Sequence, residues 1–335
     1  MKSYYEDDAL MVFVLYSILL ELSQDPMFIA GIITGLVTVG VSVLISIIAN
    51  RSRLKRNIAT LVEEYIHEYK PEIKEKLRAR ILAHGNVAKS VLKKRLERER
   101  NEYIRRDLEV MLAKLGDRKI RSKILNEVEH TVKESYSLDE ISSKLNIARD
   151  LELKEICPII FERLKQEKDS EIIKHLLIAI GDLNYVQALP FLLECVRKCE
   201  DNDLAYRYYS AIGELAVNNL NSLSKSLLND VIDLFINGLK SDYSALIDAI
   251  IRVYLPFLLK RRKDIDEEKR KELLKALCET LSHTNTDIRG EAAERLIDLG
   301  DPAAVPCLEK RLKEEQEDSV KWRIQRALKI LKTRA

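Results

Sequence analysis

The chain has 335 residues, of which 46% are apolar and 33% charged, with only 10 glycines and 7 prolines. This composition excludes a disordered chain and argues against a sheet protein with its frequent turn residues, leaving long helices as the expectation. The net charge of +2 hides a division: residues 1–50 carry one basic and five acidic side chains, residues 51–123 carry 22 against 11, and residues 124–335 carry 33 against 38.

In chain order, the first segment is 1–26. Its stretch Ala9–Leu20 is apolar, but at ~1.5 Å per helical residue it is short for the ~30 Å hydrocarbon core, so it reads either as an interfacial helix or as one arm of a strained hairpin through Ser23–Pro26. Residues 27–49 (MFIAGIITGLVTVGVSVLISIIA) hold no charge and are long enough to cross, which predicts one transmembrane helix. A cleaved signal peptide fits poorly, because acidic residues precede the run and Arg51 follows at once. Met27 at the head of the run would serve equally as an initiator. Arg51, Arg53, Lys55 and Arg56 follow the span while only Lys2 precedes it, which predicts a single pass through the plasma membrane with the C-terminal part cytoplasmic. Within the span, Gly31, Gly35, Thr38 and Ser42 share a small-residue face on which a second helix could pack, so a homodimer through the span is one reading and a lipid-facing anchor the other.

Residues 50–136 form a basic helical region. Ile58, Leu61, Val62, Tyr65 and Ile66 share one face, continued by Leu77, Ile81 and Leu82 beyond Pro71, which should break the helix. After a second break at His84–Asn86, the spacing predicts one helix from Val91 to Leu112, closed by Gly116. Its polar side carries Lys93, Lys94, Arg95 and Arg98, expected to face solvent. With Arg51, Arg53, Lys55 and Arg56 these are the candidate contacts for anionic lipid or a partner protein, beside the plainer reading of a solvated face with helical ion pairs. No aromatic-interleaved groove supports nucleic acid.

From 137 to 335 the chain repeats. Asp287-Ile288-Arg289, Ala292-Ala293, Leu299-Gly300-Asp301-Pro302 and Ala303-Ala304-Val305-Pro306 run in the order of a helix, a tight turn and a second helix led by proline. Weaker copies are Ala179-Ile180-Gly181-Asp182-Leu183 before Ala188-Leu189-Pro190, Ala211-Ile212-Gly213-Glu214-Leu215, and Ile156-Cys157-Pro158. Between about 217 and 283 the register is poor: Tyr254-Leu255-Pro256-Phe257-Leu258 reads as another proline-led helix, and the charged run Lys260–Lys271 as an insertion. Leu115-Gly116-Asp117 marks an earlier, divergent unit. This pattern resembles the HEAT repeat, in the short form named after phycobilisome lyases. The resemblance implies an all-α fold in which the transmembrane helix and basic region precede a HEAT-like α-solenoid that binds proteins along an extended surface.

Chemistry is sparse. There is no P-loop, GxSxG, HExxH or GxGxxG, and the five histidines are dispersed. Asp182, Asp287 and Asp301 read as turn or cap residues. The five cysteines read as reduced thiols; Cys195 and Cys199 lie one turn apart, but no histidine completes a metal set. No catalytic residue, cofactor or metal is therefore expected. The function expected is a membrane-anchored scaffold for protein–protein interaction, with an accessory subunit or assembly factor of a membrane complex as alternative. Enzymes with related repeats, the bilin lyases and the HEAT-like DNA glycosylases, are the remaining reading.

Overall fold

The computed structural model describes residues 26–333, with side chains from Thr34 onward; Ala9–Leu20 lies outside the described residues. Every regular element among them is helical. The chain divides into two compact units, one ending at Ile120 and one beginning at Arg121.

In the first unit, α1 (Pro26–His67) is one continuous helix, followed by α2 (Pro71–Leu82), α3 (Gly85–Arg98) and α4 (Glu102–Lys114). Pro71 sits at the start of α2, where its missing N–H costs nothing. The lower part of α1 packs against α2 and α3 through Ile58, Val62, Tyr65, Leu77, Ile81 and Leu92, all buried. The single helix expected from Val91 to Leu112 is instead two, broken at Glu99–Asn101. Glu99 accepts from the N–H groups of Arg100 (2.8 Å) and Asn101 (2.7 Å), and Asn101 accepts from Tyr103 and Ile104, so local polar groups outcompete helix continuation.

The second unit begins in α5 (Arg118–Glu134) and continues through α6 (Leu138–Asp150), α7 (Cys157–Gln166), α8 (Ser170–Asp182), α9 (Leu189–Val196), α10 (Asn202–Asn218) and α11 (Lys225–Leu239). It ends with α12 (Ser244–Asp248), α13 (Leu255–Leu258), α14 (Glu267–Thr280), α15 (Thr286–Leu299), α16 (Val305–Glu314) and α17 (Asp318–Lys332). The first helices of successive hairpins pack side by side: α6 on α8, α8 on α10, α10 on the π-helical segment Ala249–Tyr254, that segment on α15, and α15 on α17. Each hairpin thus buries its apolar face on the next, the stacking logic of repeat proteins.

One connection recurs in both units. Two residues before seven of the N-caps, a side chain accepts the N-cap's own backbone N–H: Glu68 for Lys70, Glu99 for Asn101, Ser135 for Ser137, Glu167 for Asp169, Ser241 for Tyr243, His283 (through Nδ1) for Asn285, and Glu315 for Glu317. At Asp201 the place is taken by Cys199, whose thiol donates to the Asp201 carbonyl instead. These N-caps place the period that is obscure in the sequence: Asp169 and Asp201 stand 32 residues apart, but Asp201, Tyr243 and Asn285 stand 42 apart. The extra length is not a loose loop. Arg261 donates to the Leu220 and Leu223 carbonyls, and buried Asn229 bonds Asp264 and Asp266, pinning the charged run. Pro256 does not lead a second helix there. It follows the π segment near the end of the hairpin's first helix, and the second helix, α14, starts at Glu267. A proline cannot donate to the turn before it, and the local shift to π geometry accompanies that missing bond.

The first helices end alike. Gly116, Glu152, Asn184 and Gly300 each stand 15 residues after their N-caps with φ of 75°, 50°, 59° and 73°. At the first three, the next N–H returns to a carbonyl five residues back, the Schellman arrangement. Gly181-Asp182 is therefore not the counterpart of Gly300-Asp301; Asn184 holds that place. Gly181 and Gly213 lie inside helices instead, and a Cβ on Gly213 would stand 2.6 Å from the Tyr254 ring. Glu152, exposed and left-handed, is the poorest of the four turn residues. Glu152→Gly should raise stability by about 1 kcal/mol, and Gly116→Ala should lower it by about as much, in urea unfolding of the full chain followed by circular dichroism.

Candidate functional site

Beyond the uncharged run that ends at Ala49, α1 carries Lys55 and Arg56 on the side that faces α3. There they meet Lys94, Arg95 and Arg98 around a cleft of about 320 Å3 whose walls include Ala59, Val62 and Val91. Helical spacing explains the alignment: Lys55, Arg56, Ala59, Val62 and Glu63 share one face of α1, and Val91, Lys94, Arg95 and Arg98 one face of α3. Arg95 is spoken for, donating to Glu63 at 2.7 Å and to Glu99 at 2.8 Å. Lys55, Arg56, Lys94 and Arg98 have no carboxylate partner among the described residues.

Of the eight basic residues singled out in the sequence, these five come together and three do not. Arg51 and Arg53 are exposed on α1 outside the cleft. Lys93 turns to Asp117 at 2.6 Å, and its hydrogen bond holds the Asp117 carboxyl below the usual carboxylate range. Of the small-residue face, Gly31 lies where side chains are not described, and Gly35 faces open space. The hydroxyls of Thr38 and Ser42 donate to the Thr34 and Thr38 carbonyls of their own helix.

A second cleft, of about 420 Å3, lies in the repeats between α6, α8, α10 and the π segment. Asp182 is not a turn residue here; it pairs with Arg149 of the preceding repeat. Glu214 stands beside them, half-buried, and its carboxyl is pushed up by burial and by the Asp182 charge. Tyr206 and Tyr254 are walls of this cleft, and Arg149 and Arg207 line it beside the two carboxylates. Sequence reading missed it, because Glu214 and Asp182 are neighbours only across stacked repeats. Their signal was present: each stands 13 residues after its N-cap.

Among the described residues, no group of three or more His, Cys, Asp or Glu is placed to hold a metal ion. Cys195 and Cys199 stay as separate thiols, both pushed up by burial. Cys278 and Cys307, read in the sequence as reduced, are instead joined as a disulfide between α14 and α16.

The sequence of HEAT repeats as a family matches residues 258–329. No curated protein matches the chain. Among solved structures, the YibA protein of Escherichia coli is similar at 18% identity over 84% of this chain and 96% of its own, with a TM-score of 0.48. A designed armadillo repeat protein in complex with a (KR)4 peptide is similar at 15% identity over 62% and 98%, with a TM-score of 0.46. Human deoxyhypusine hydroxylase is similar at 12% identity over 83% and 97%, with a TM-score of 0.30. With the family match at 258–329, and the same capped hairpin recurring before it, the fold is an all-helical one with HEAT-like repeats.

Proposed function

We propose that this chain is a membrane-tethered scaffold: α1 crosses the plasma membrane once, and the HEAT repeats, on the cytoplasmic side, bind a protein partner without catalysing a reaction. The observation that carries the reading is the change of surroundings along α1. From Val37 to Ile48 its apolar side chains are exposed on every side, Val39 at 62% and Ile45 at 61%, whereas Ile58, Val62 and Tyr65 on the same helix are buried in protein. A long helix with so much uncovered apolar surface needs lipid or another helix around it. The hydroxyls of Thr38 and Ser42 are bonded within the helix, so neither wants water at that depth.

The expected result is that the full chain stays in the membrane pellet after alkaline carbonate extraction, and that a protease tag after Ala335 is cut only once the cytoplasmic face is opened. Release into the supernatant sinks the anchor; cutting from outside intact cells sinks the orientation. The open face at Gly35 favours a second reading, in which α1 packs on other spans as an accessory subunit of a membrane complex or on a second copy as a dimer. Stoichiometric co-purification of another membrane subunit in detergent replaces the first reading with that one.

A further inference from the structure

We propose that the cleft between α1 and α3 binds the phosphate of an anionic phospholipid headgroup; this rests on the reading of α1 as a membrane span. Lys74 meets Asp107 at 3.0 Å and Lys93 meets Asp117, and within the cleft itself Arg95 meets two glutamates. The other four cations around this one concavity meet no carboxylate among the described residues. Glu63, the sole carboxylate among the lining residues, is taken by Arg95, so Lys55, Arg56, Lys94 and Arg98 repel one another with nothing to offset them. Like charges gathered on facing helices over apolar walls are the arrangement that an anion stabilises, and a phosphate offers acceptors enough for several of them.

The placement names the source. Lys55 follows Ala49, the last residue of the apolar run, by six residues of unbroken helix, or ~9 Å. The headgroup layer occupies roughly 5–8 Å of that, and a lysine stem spans the rest while its ammonium stays in polar surroundings. A lipid phosphate can therefore enter at the Lys55 end, with Arg56 and Lys94 next to it and its glycerol and acyl chains on the bilayer side. A free phosphate would gain nothing from that proximity.

The test uses the full chain in nanodiscs of phosphatidylcholine with a minor fraction of phosphatidic acid, ejected into a mass spectrometer that counts retained lipids. The expected result is retention of phosphatidic acid about tenfold above its share of the disc, the scale of a single added recognition contact. The triple variant Lys55→Gln, Lys94→Gln, Arg98→Gln should lose this preference, whereas Arg51→Gln with Arg53→Gln, outside the cleft, should keep it. Equal retention by wild type and triple variant overturns the proposal. So does displacement of the lipid by inorganic phosphate at comparable concentration, which identifies a soluble anion as the occupant, and so does the absence of any lipid preference, which leaves the cleft to an acidic protein. Failure of the membrane reading is seen separately, as a chain that does not co-migrate with the discs.

Discussion

Glu315→Ala is expected to cost the repeat domain about 3–5 kcal/mol, the scale for stripping one partner from a buried ion pair. The Glu315 side chain is 1% exposed and lies between two arginines. Arg289 donates from Nε and Nη2 to its two oxygens, each at 2.8 Å, Arg311 donates from Nη2 at 2.8 Å, and the N–H groups of Gln316 and Glu317 complete the set. Removing the carboxylate leaves Arg289, itself 7% exposed, buried with its charge uncompensated. Replacing both partners, Arg289→Met with Glu315→Leu, should recover much of the loss, because an apolar pair has no desolvation to offset. The same site gives a pH dependence. Hydrogen bonds from Arg289 and then Arg311 hold the Glu315 carboxyl far below the usual carboxylate range. Its folded pKa is therefore depressed, so its contribution is full above the unfolded value near 4.5 and lost as pH falls toward the folded one. Urea midpoints of wild type and Glu315→Ala should differ by the same amount at pH 7 and pH 6 and converge below pH 4 (roughly, from the linkage relation). A gap that stays constant down to pH 3 would mean that the carboxylate charge is not what stabilises this turn.

The helical class, the break at Pro71 and the first unit's core face at Ile58, Val62 and Tyr65 were legible because each is written in local sequence, as a punctuating residue or a 3.6-residue period. The repeat was legible where glycine and proline mark it, at Gly300 and at Pro158, Pro190 and Pro306, which all open second helices. It was lost between 217 and 283, because a π segment and a pinned ten-residue excess shift the register without changing the stacking. A better signal was present in polar residues. Arg95-Glu99-Asn101, Arg163-Glu167-Asp169 and Arg311-Glu315-Glu317 share one spacing and one geometry, in which the arginine holds the glutamate and the glutamate covers the next helix's N-cap. Read this way, the repeat reaches back into the basic region before residue 120. The basic cleft was half legible: helical spacing placed Lys94, Arg95 and Arg98 on one face, but only the packing of α1 on α3 brings Lys55 and Arg56 to them. Lys93 faces solvent as its spacing indicates, but its pairing with Asp117, 24 residues away behind the Gly116 turn, was not legible.

Reduction of the Cys278–Cys307 disulfide is expected to lower the stability of the oxidised, purified chain by about 3–4 kcal/mol on the loop-entropy estimate, for a bridge of sequence separation 29. The bond ties α14 to α16 across α15, so its loss loosens two hairpins at once, and Cys307→Ser should reproduce the effect of reductant without adding to it. Both cysteines are only partly buried, which leaves the bond open to thiol exchange. Cys157 is unlike them: burial pushes its thiol up to about 11, so it is a slow competitor in that exchange. The bridge also tests topology, because cytosolic thiol pools keep such pairs reduced whereas secretory compartments do not. If the repeats face the cytoplasm, cells quenched in acid and alkylated before lysis should yield the chain with all five cysteines labelled, and the bridge should appear only after oxidation in vitro. A chain recovered with Cys278 and Cys307 protected and Cys157, Cys195 and Cys199 labelled places the repeats in an oxidising compartment. In that case the basic residues after α1's apolar run did not set its orientation, and the lipid contacted by Lys55 and Arg56 belongs to the outer leaflet.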